Sequence, residues 1–400
     1  MPFTYKQICV KDQFVTEEEL IDRFTGQELW MWGLNTYRGI LGDNTRVSKS
    51  SPVQTISGGV NWRQIAVGEY HAAAIKTDGT LWAWGENFAA NGSLGDNTNT
   101  ARSSPVQTIS GGTNWRQVSV SWIHTAAIKT DGTLWTWGGA RNSTAFRYGQ
   151  LGNNSINPSL SPVQTIAGGN NWKQVSAESG ISSRTAAIKT DGTLWLWGYG
   201  SGGKLGNNST AHVSSPVQTI SGGTNWKQVS LGGNTSAAIK NDGTLWLWGT
   251  ANDGALGNNT TCFTNSVSSP VQTISGGNNW KQVSGGTRHN AAIKTDGTLW
   301  LWGFGAFGTL GNNIIESVSS PVQTVSGGTN WKQVSAGEYN TAAIKTDGTL
   351  WLWGCGSSGA LGNNATVNVS SPVQTITQGT SWRQVSVGRR TTGATRITEF

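Results

Sequence analysis

The stretch DGTLWLWG at 191–198 decides how the chain folds. Asp-Gly before an apolar run is the strongest short hairpin signal, and it predicts a type I′ turn with positive φ at both central residues. In the strand that follows, successive side chains alternate between faces. Leu194 and Leu196 therefore point one way and Trp195 and Trp197 the other. A strand apolar on both faces needs other sheets packed against both sides of its own sheet.

Working outward, Leu-Trp-x-Trp-Gly occurs seven times, with its first tryptophan at Trp30, Trp82, Trp135, Trp195, Trp246, Trp300 and Trp351. A second motif, Trp-Lys/Arg-Gln-Val/Ile, also occurs seven times, at Trp62, Trp115, Trp172, Trp226, Trp280, Trp331 and Trp382, and Ser-Pro-Val-Gln-Thr recurs seven times. A repeat of 51 to 60 residues marks one supersecondary unit that cannot bury its own apolar surface alone. Each unit reads as four strands, like WKQVS, AAIK, TLWLWG and PVQTI, all alternating and rich in β-branched or aromatic residues.

Seven such sheets predict an all-β, seven-bladed propeller. The small-residue strands WKQVS and AAIK belong near the axis, LWLW further out, and the proline strand at the outer edge, where a missing N–H is tolerated. The tryptophans then fill the widening wedges between blades. The chain ends on a first and a second strand, while Leu29–Gly33 has no Asp-Gly hairpin before it, so the last blade is expected to be assembled from both termini. Residues 25–400 form the ring on this reading. Residues 1–24 form an arm, with Thr16 and Glu19 as a capping box for a short helix through Ile21. Tyr5-Lys6-Gln7-Ile8 resembles a degenerate first strand that competes with Trp382 for the closing blade.

Only 12% of residues are charged, and Cys9, Cys262 and Cys355 lack metal-ligand spacing, which argues against a zinc site or a disulfide framework. The N-terminus lacks the pattern of a secretory signal and no run of 18 apolar residues occurs. The expectation is a soluble chain, cytoplasmic or carried on a particle assembled there, with no membrane insertion.

The pattern Trp-Gly-x-Asn followed by Gly-x-Leu-Gly, seen as WGLNTYRGILG at 32–42, resembles the regulator-of-chromosome-condensation repeat family. The resemblance implies a seven-bladed propeller. It does not fix one function, because the family includes a nuclear exchange factor for a small GTPase, a secreted β-lactamase inhibitor and a plant ultraviolet photoreceptor. Ser121-Trp122-Ile123-His124-Thr125 resembles a Gly-Trp-Arg-His-Thr motif of the photoreceptors, with Ile for Arg, and is present once.

In a meander, the loops joining strands one to two and three to four share one face, and the hairpins and interblade links share the other. The hairpin face is monotonous, with Asp-Gly turns and SGGT-like links. The loop face varies, with first loops expected at seven to ten residues and second loops at 16 to 22. Its candidate contact residues are Tyr70, His71, Trp122, His124, Arg288, His289, Tyr339, Arg389 and Arg390 near the axis. Further out are Tyr37, Arg38, Phe146, Arg147, Tyr148, Phe304 and Phe307. Aromatics and arginine anchor recognition surfaces. Half of the 28 Lys and Arg residues fall at two repeated positions, Trp-Lys/Arg and Ile-Lys, forming a basic rim beside the hairpins that reads as a solvated face. The histidines are scattered, and no nucleophile, cofactor motif or metal set converges. The expected function is a non-enzymatic recognition module binding a protein or glycan, as in a bacterial or viral particle component attached through residues 1–24. Its rival is an intracellular regulator binding a GTPase or nucleic acid, although nucleic acid is the less expected partner.

Overall fold

The computed structural model describes residues 7–10, 13–16, 27–36, 38–57, 59–87, 92–139, 147–178, 180, 183–261 and 266–397. Seven four-stranded antiparallel sheets stand around one axis. Blades 1 to 6 open at Trp62, Trp115, Trp172, Trp226, Trp280 and Trp331 and run outward in chain order. In blade 1 the strands are Trp62–Val67, His71–Lys76, Leu81–Gly85 and Arg102–Gln107. Blade 7 takes Trp382–Val387 and Thr391–Ile397 from one end of the chain, and Gln27–Gly33 and Lys49–Gln54 from the other. Gln27 pairs with Ile397 and Gly33 with Thr391, so the ring closes by hydrogen bonding across the two termini.

The competing first strand is absent from that blade. Gln7–Val10 pairs with Gln13–Thr16 in a separate two-stranded sheet, and Trp382 holds the inner place. Thr16 is the last residue of the second of these strands, while Glu19 and Ile21, the rest of the expected capping box and helix, lie outside the described residues.

The hairpins differ from the expected type. Lys76 and Thr80 enclose three residues, Gly79 N–H donates to Lys76 O (2.9 Å), and φ is positive at Gly79 (+80°) but not at Asp78. Such a three-residue loop leaves the aspartate side chain free to accept from the Thr80 N–H (2.8 Å) and hydroxyl (2.7 Å). The Thr80 hydroxyl in turn accepts from Trp82 Nε1 (2.9 Å). Asp-Gly-Thr-Leu-Trp is thus one hydrogen-bonded unit. Blade 7 lacks the turn, and Glu28 replaces the threonine, accepting from Trp30 Nε1 and from Arg396 Nε, both at 3.0 Å.

The core consists of interblade wedges. In one of them Leu29, Met31 and Leu41 of blade 7 pack against Trp62, Ile65, Val67 and Trp84 of blade 1. The other six wedges repeat the arrangement. The inner-strand tryptophan and the second tryptophan of each Trp-x-Trp are buried, with ring centroids 6.0–6.5 Å apart. The second tryptophan also reaches the preceding blade, as when Trp84 Nε1 donates to Ile40 O (2.7 Å). Burying an indole removes about 150–250 Å² from water, an upper-limit stabilisation of about 4–6 kcal/mol each. The first tryptophan of each pair is half-buried, and the Ile-Lys lysine covers it. Lys240 Nζ lies 4.1 Å from the Trp246 ring and 4.9 Å from Trp226, within cation–π range of both.

Hydrogen bonds sort the connections onto two faces. Thr77 N–H donates to Asn61 O (2.7 Å), tying a hairpin to an interblade link, and Thr130, Thr190, Asn241, Thr295 and Thr346 do the same in blades 2 to 6. On the opposite face, Glu86 N–H donates to Tyr70 O (2.8 Å), tying the second loop of blade 1 to its first, with counterparts in the other blades. First loops are shorter than expected. They hold three residues, such as 68–70, except for 178–183 in blade 3, because the second strands begin early, at His71, His124, Arg184 and His289.

Candidate functional site

The inner strands carry a role that the sequence reading did not assign. Gln64 Nε2 donates to Val118 O (3.1 Å) and its Oε1 accepts from Val118 N–H (3.0 Å), so one side-chain amide satisfies two backbone groups of the next blade. Gln117, Gln174, Gln228 and Gln282 repeat both bonds, and Gln384 reaches Ile65 N–H (2.9 Å) across the closure. Ser119, Ser176, Ser230, Ser284, Ser335 and Ser386 add one bond per interface; Ala66 stands at that position in blade 1. The available signal was the recurrence of Gln and Ser at fixed positions of a strand placed next to the axis.

The same logic removes the histidines from the candidate surface. His71, His124 and His289 are the first residues of second strands and are fully buried. Their Nε2 atoms lie 2.9, 2.9 and 2.8 Å from the Thr125, Thr185 and Thr341 hydroxyls of the next blade. Burial pushes His71 and His124 down to about 3 and His289 to about 4, so all three are neutral. Short first loops draw these side chains between blades. Trp122 and Tyr70 are also largely withdrawn, at 6% and 9% exposure, and pack on each other with centroids 6.3 Å apart beside Ile123.

The remaining candidates fall into separate groups. At the axis, Arg389 of blade 7 bridges Glu69 of blade 1 (2.5 Å) and Glu338 of blade 6 (2.7 Å) and touches the Tyr70 hydroxyl (3.3 Å). Burial raises the Glu69 carboxyl and pushes Tyr70 up to about 12, which favours a neutral phenol in this cluster. Arg38 of blade 7 pairs with Glu86 of blade 1 (3.2 Å). Tyr148 packs edge-on against Tyr199 and His212, each at 4.7 Å, a cluster the sequence reading had not assembled because its members come from two blades. Arg147 lies beside Tyr148 in the chain and is half-buried. Tyr37 and Phe146 lie outside the described residues.

Blades 5 to 7 bring the largest set together. Arg288, Phe304, Phe307, Tyr339, Cys355 and Arg390 line an open cleft of about 430 Å³. Arg288 stacks on Phe304, 4.0 Å from the ring centre, and pairs with Asp253 of blade 4 (2.8 Å). Phe307 stands edge-on to Tyr339 at 5.5 Å and is 40% exposed. Its backbone is left-handed, φ +64°, at a loop position held by Gly202, Asp253 and Ser358 in blades 3, 4 and 6. A bulky aromatic is the costliest of these occupants in that conformation. Among the described residues no three His, Cys, Asp or Glu side chains cluster to hold a metal, and no helix is long and apolar enough to cross a membrane.

Residues 28–394 match the RCC1-like domain. The ultraviolet-B receptor UVR8 of Arabidopsis thaliana is 28% identical over 87% of this chain and 77% of its own length. The E3 ubiquitin-protein ligase HERC2 of Homo sapiens is 25% identical over 90% of this chain but only 7% of the ligase. Among solved structures, Prp20p of Saccharomyces cerevisiae, described with its binding properties to Gsp1p and histones, superposes with a TM-score of 0.80. It is 17% identical, with 96% of each chain covered, a likeness of fold.

Proposed function

The chain belongs to the RCC1-like domain family, and from that premise we propose that it is a non-enzymatic protein-recognition module of a regulatory system, with its partner on the loop face. The cleft of blades 5 to 7 carries this reading. It combines exposed aromatic surface, two arginines and a backbone conformation unfavourable for the residue that occupies it, and strain kept at a cleft favours a functional role for Phe307. A protein partner suits the cleft better than a glycan. Sugars stack on open ring faces, whereas Arg288 covers Phe304, and Phe307 and Tyr339 stand edge-on. The relatives are a receptor and a ligase, which favours a regulator over a particle component. The hairpin within residues 1–24 pairs with no blade strand, and we assign that segment to an accessory contact outside the ring.

The test is photocrosslinking from Phe307 in native extracts, with Ile220 beside an interblade link as the reference position. A protein adduct is expected from Phe307 and not from Ile220, and it should vanish in Tyr339→Ala. Phe307→Gly should lose the partner while melting like the parent, since Gly202 already occupies the equivalent position at φ +71°. Undiminished partner binding by Phe307→Gly and Tyr339→Ala would overturn this assignment.

A further inference from the structure

The residue after each inner-strand tryptophan is a cation in all seven blades: Arg63, Arg116, Lys173, Lys227, Lys281, Lys332 and Arg383. Each sits at a register shift of the inner ladder, where the cross-strand register runs from Trp to Gln and skips the cation between them. Bulges re-aim side chains. Here the residue next along is the glutamine, which lines the axial channel in six of the seven blades, so the bulges set the cations around the channel mouth on the hairpin face. The side chains follow the ring. Arg63 donates to Trp115 O (2.8 Å) and Arg116 O (3.1 Å), and Arg116 donates to Trp172 O (2.8 Å) and Lys173 O (3.2 Å). Lys173, Lys227 and Lys281 are exposed.

Among the described residues, no inner strand or interblade link carries Asp or Glu, and Arg63, Arg116, Lys173, Lys227 and Lys281 form no ion pair. The turn aspartates are held by their own threonines. Burial, then the neighbouring Arg116, holds Arg63 below its ordinary value, which reflects like charges gathered at close range. The lysines of Ile-Lys differ in that they lie over tryptophan rings.

We propose that this axial mouth binds a compact polyphosphate, a small molecule or lipid headgroup bearing several clustered phosphates. A closed ring around a narrow polar channel matches a ligand whose charges radiate from one centre. A nucleic-acid strand needs an extended track and exposed aromatic platforms for its bases, and the inner-strand tryptophans are 0–1% exposed. The headgroup alternative has some support from Ile109, Ile220 and Ile274, which stand 55–57% exposed where outer strands turn into the links.

The test is calorimetric titration of the full chain with inositol hexakisphosphate, in parallel with sedimentation on vesicles containing phosphatidylinositol bisphosphate. Saturable binding of one molecule per chain is expected. Two charges removed together, Lys173→Gln with Lys227→Gln, should weaken it about tenfold and lower the salt dependence, since each lost contact releases fewer counterions. Arg46→Gln with Lys49→Gln carries the same charge change away from the mouth and should leave affinity within about twofold. Binding only to vesicles identifies the headgroup as the source. The inference is overturned if neither probe binds, if the control pair weakens binding equally, or if a single-stranded oligonucleotide displaces the probe while binding several chains. It stands or falls independently of the loop-face partner.

Discussion

The hairpin face and the loop face are built from the same seven blades, yet they use polar residues in opposite ways. On the hairpin face each polar position recurs in nearly every copy and is spent on the scaffold: Asp78 on Thr80, Thr80 on Trp82, Lys76 over two indoles. The exception is the cation after the inner tryptophan, which leaves exposed charge at Lys173, Lys227 and Lys281. On the loop face the positions vary from blade to blade, and several of them meet partners across an interface, as Asp253 meets Arg288 and Phe307 meets Tyr339. Repetition therefore marks what holds the ring, and departure from repetition marks where blades were free to diverge.

The sharpest way to break this contrast is acid. His71, His124 and His289 sit on the variable side but act as scaffold, neutral between blades. In the unfolded chain they protonate near their ordinary value, and in the folded chain only near 3 to 4. Their stabilisation is complete above about pH 6.5 and is lost as pH falls, with a slope of about 4 kcal/mol per pH unit between pH 6 and 5 for three extra protons in the unfolded state. Urea unfolding across that range measures it, and His124→Gln should reduce the slope by a third. A flat profile would return these histidines to the surface.

Next in size is Trp248→Ala. It empties an interblade wedge and removes the bond from Trp248 Nε1 to the Lys204 carbonyl (3.0 Å), which keeps the one it accepts from the Ser236 hydroxyl (2.8 Å). A loss of about 3–5 kcal/mol is expected from denaturant unfolding. The smallest effect separates scaffold cations from mouth cations. Lys240→Met should cost about 0.5–1 kcal/mol through the lost contact with Trp226 and Trp246. Lys227→Gln, one inner strand of the same blade away, should leave the melting temperature unchanged.

The loop-face site was only partly legible in the sequence. Arg288, Phe304, Phe307 and Tyr339 were readable as unusual residues in variable loops, and they do meet in one cleft. His71, His124 and His289 looked equally unusual, and they are buried because the second strands start earlier than the Ala-Ala pattern suggested. Tyr199 and His212 were not among the candidate contact residues, and they join Tyr148 only because adjacent blades lie side by side.

What the sequence determined alone was the plan of one repeat, though neither its hairpin type nor its first-loop length: four strands, their order from the axis, seven blades, the two faces and the split closing blade. Period, alternation and turn residues act within about 50 residues and are written once per copy. The tertiary structure decided what lies between copies: the glutamine amides that clamp neighbouring inner strands, the histidines sealed at interfaces, the lysines laid on indoles and the pairing of loop residues. These depend on the rotation from one blade to the next, which is set only when the wedges pack and the ring closes, so a linear pattern cannot state it.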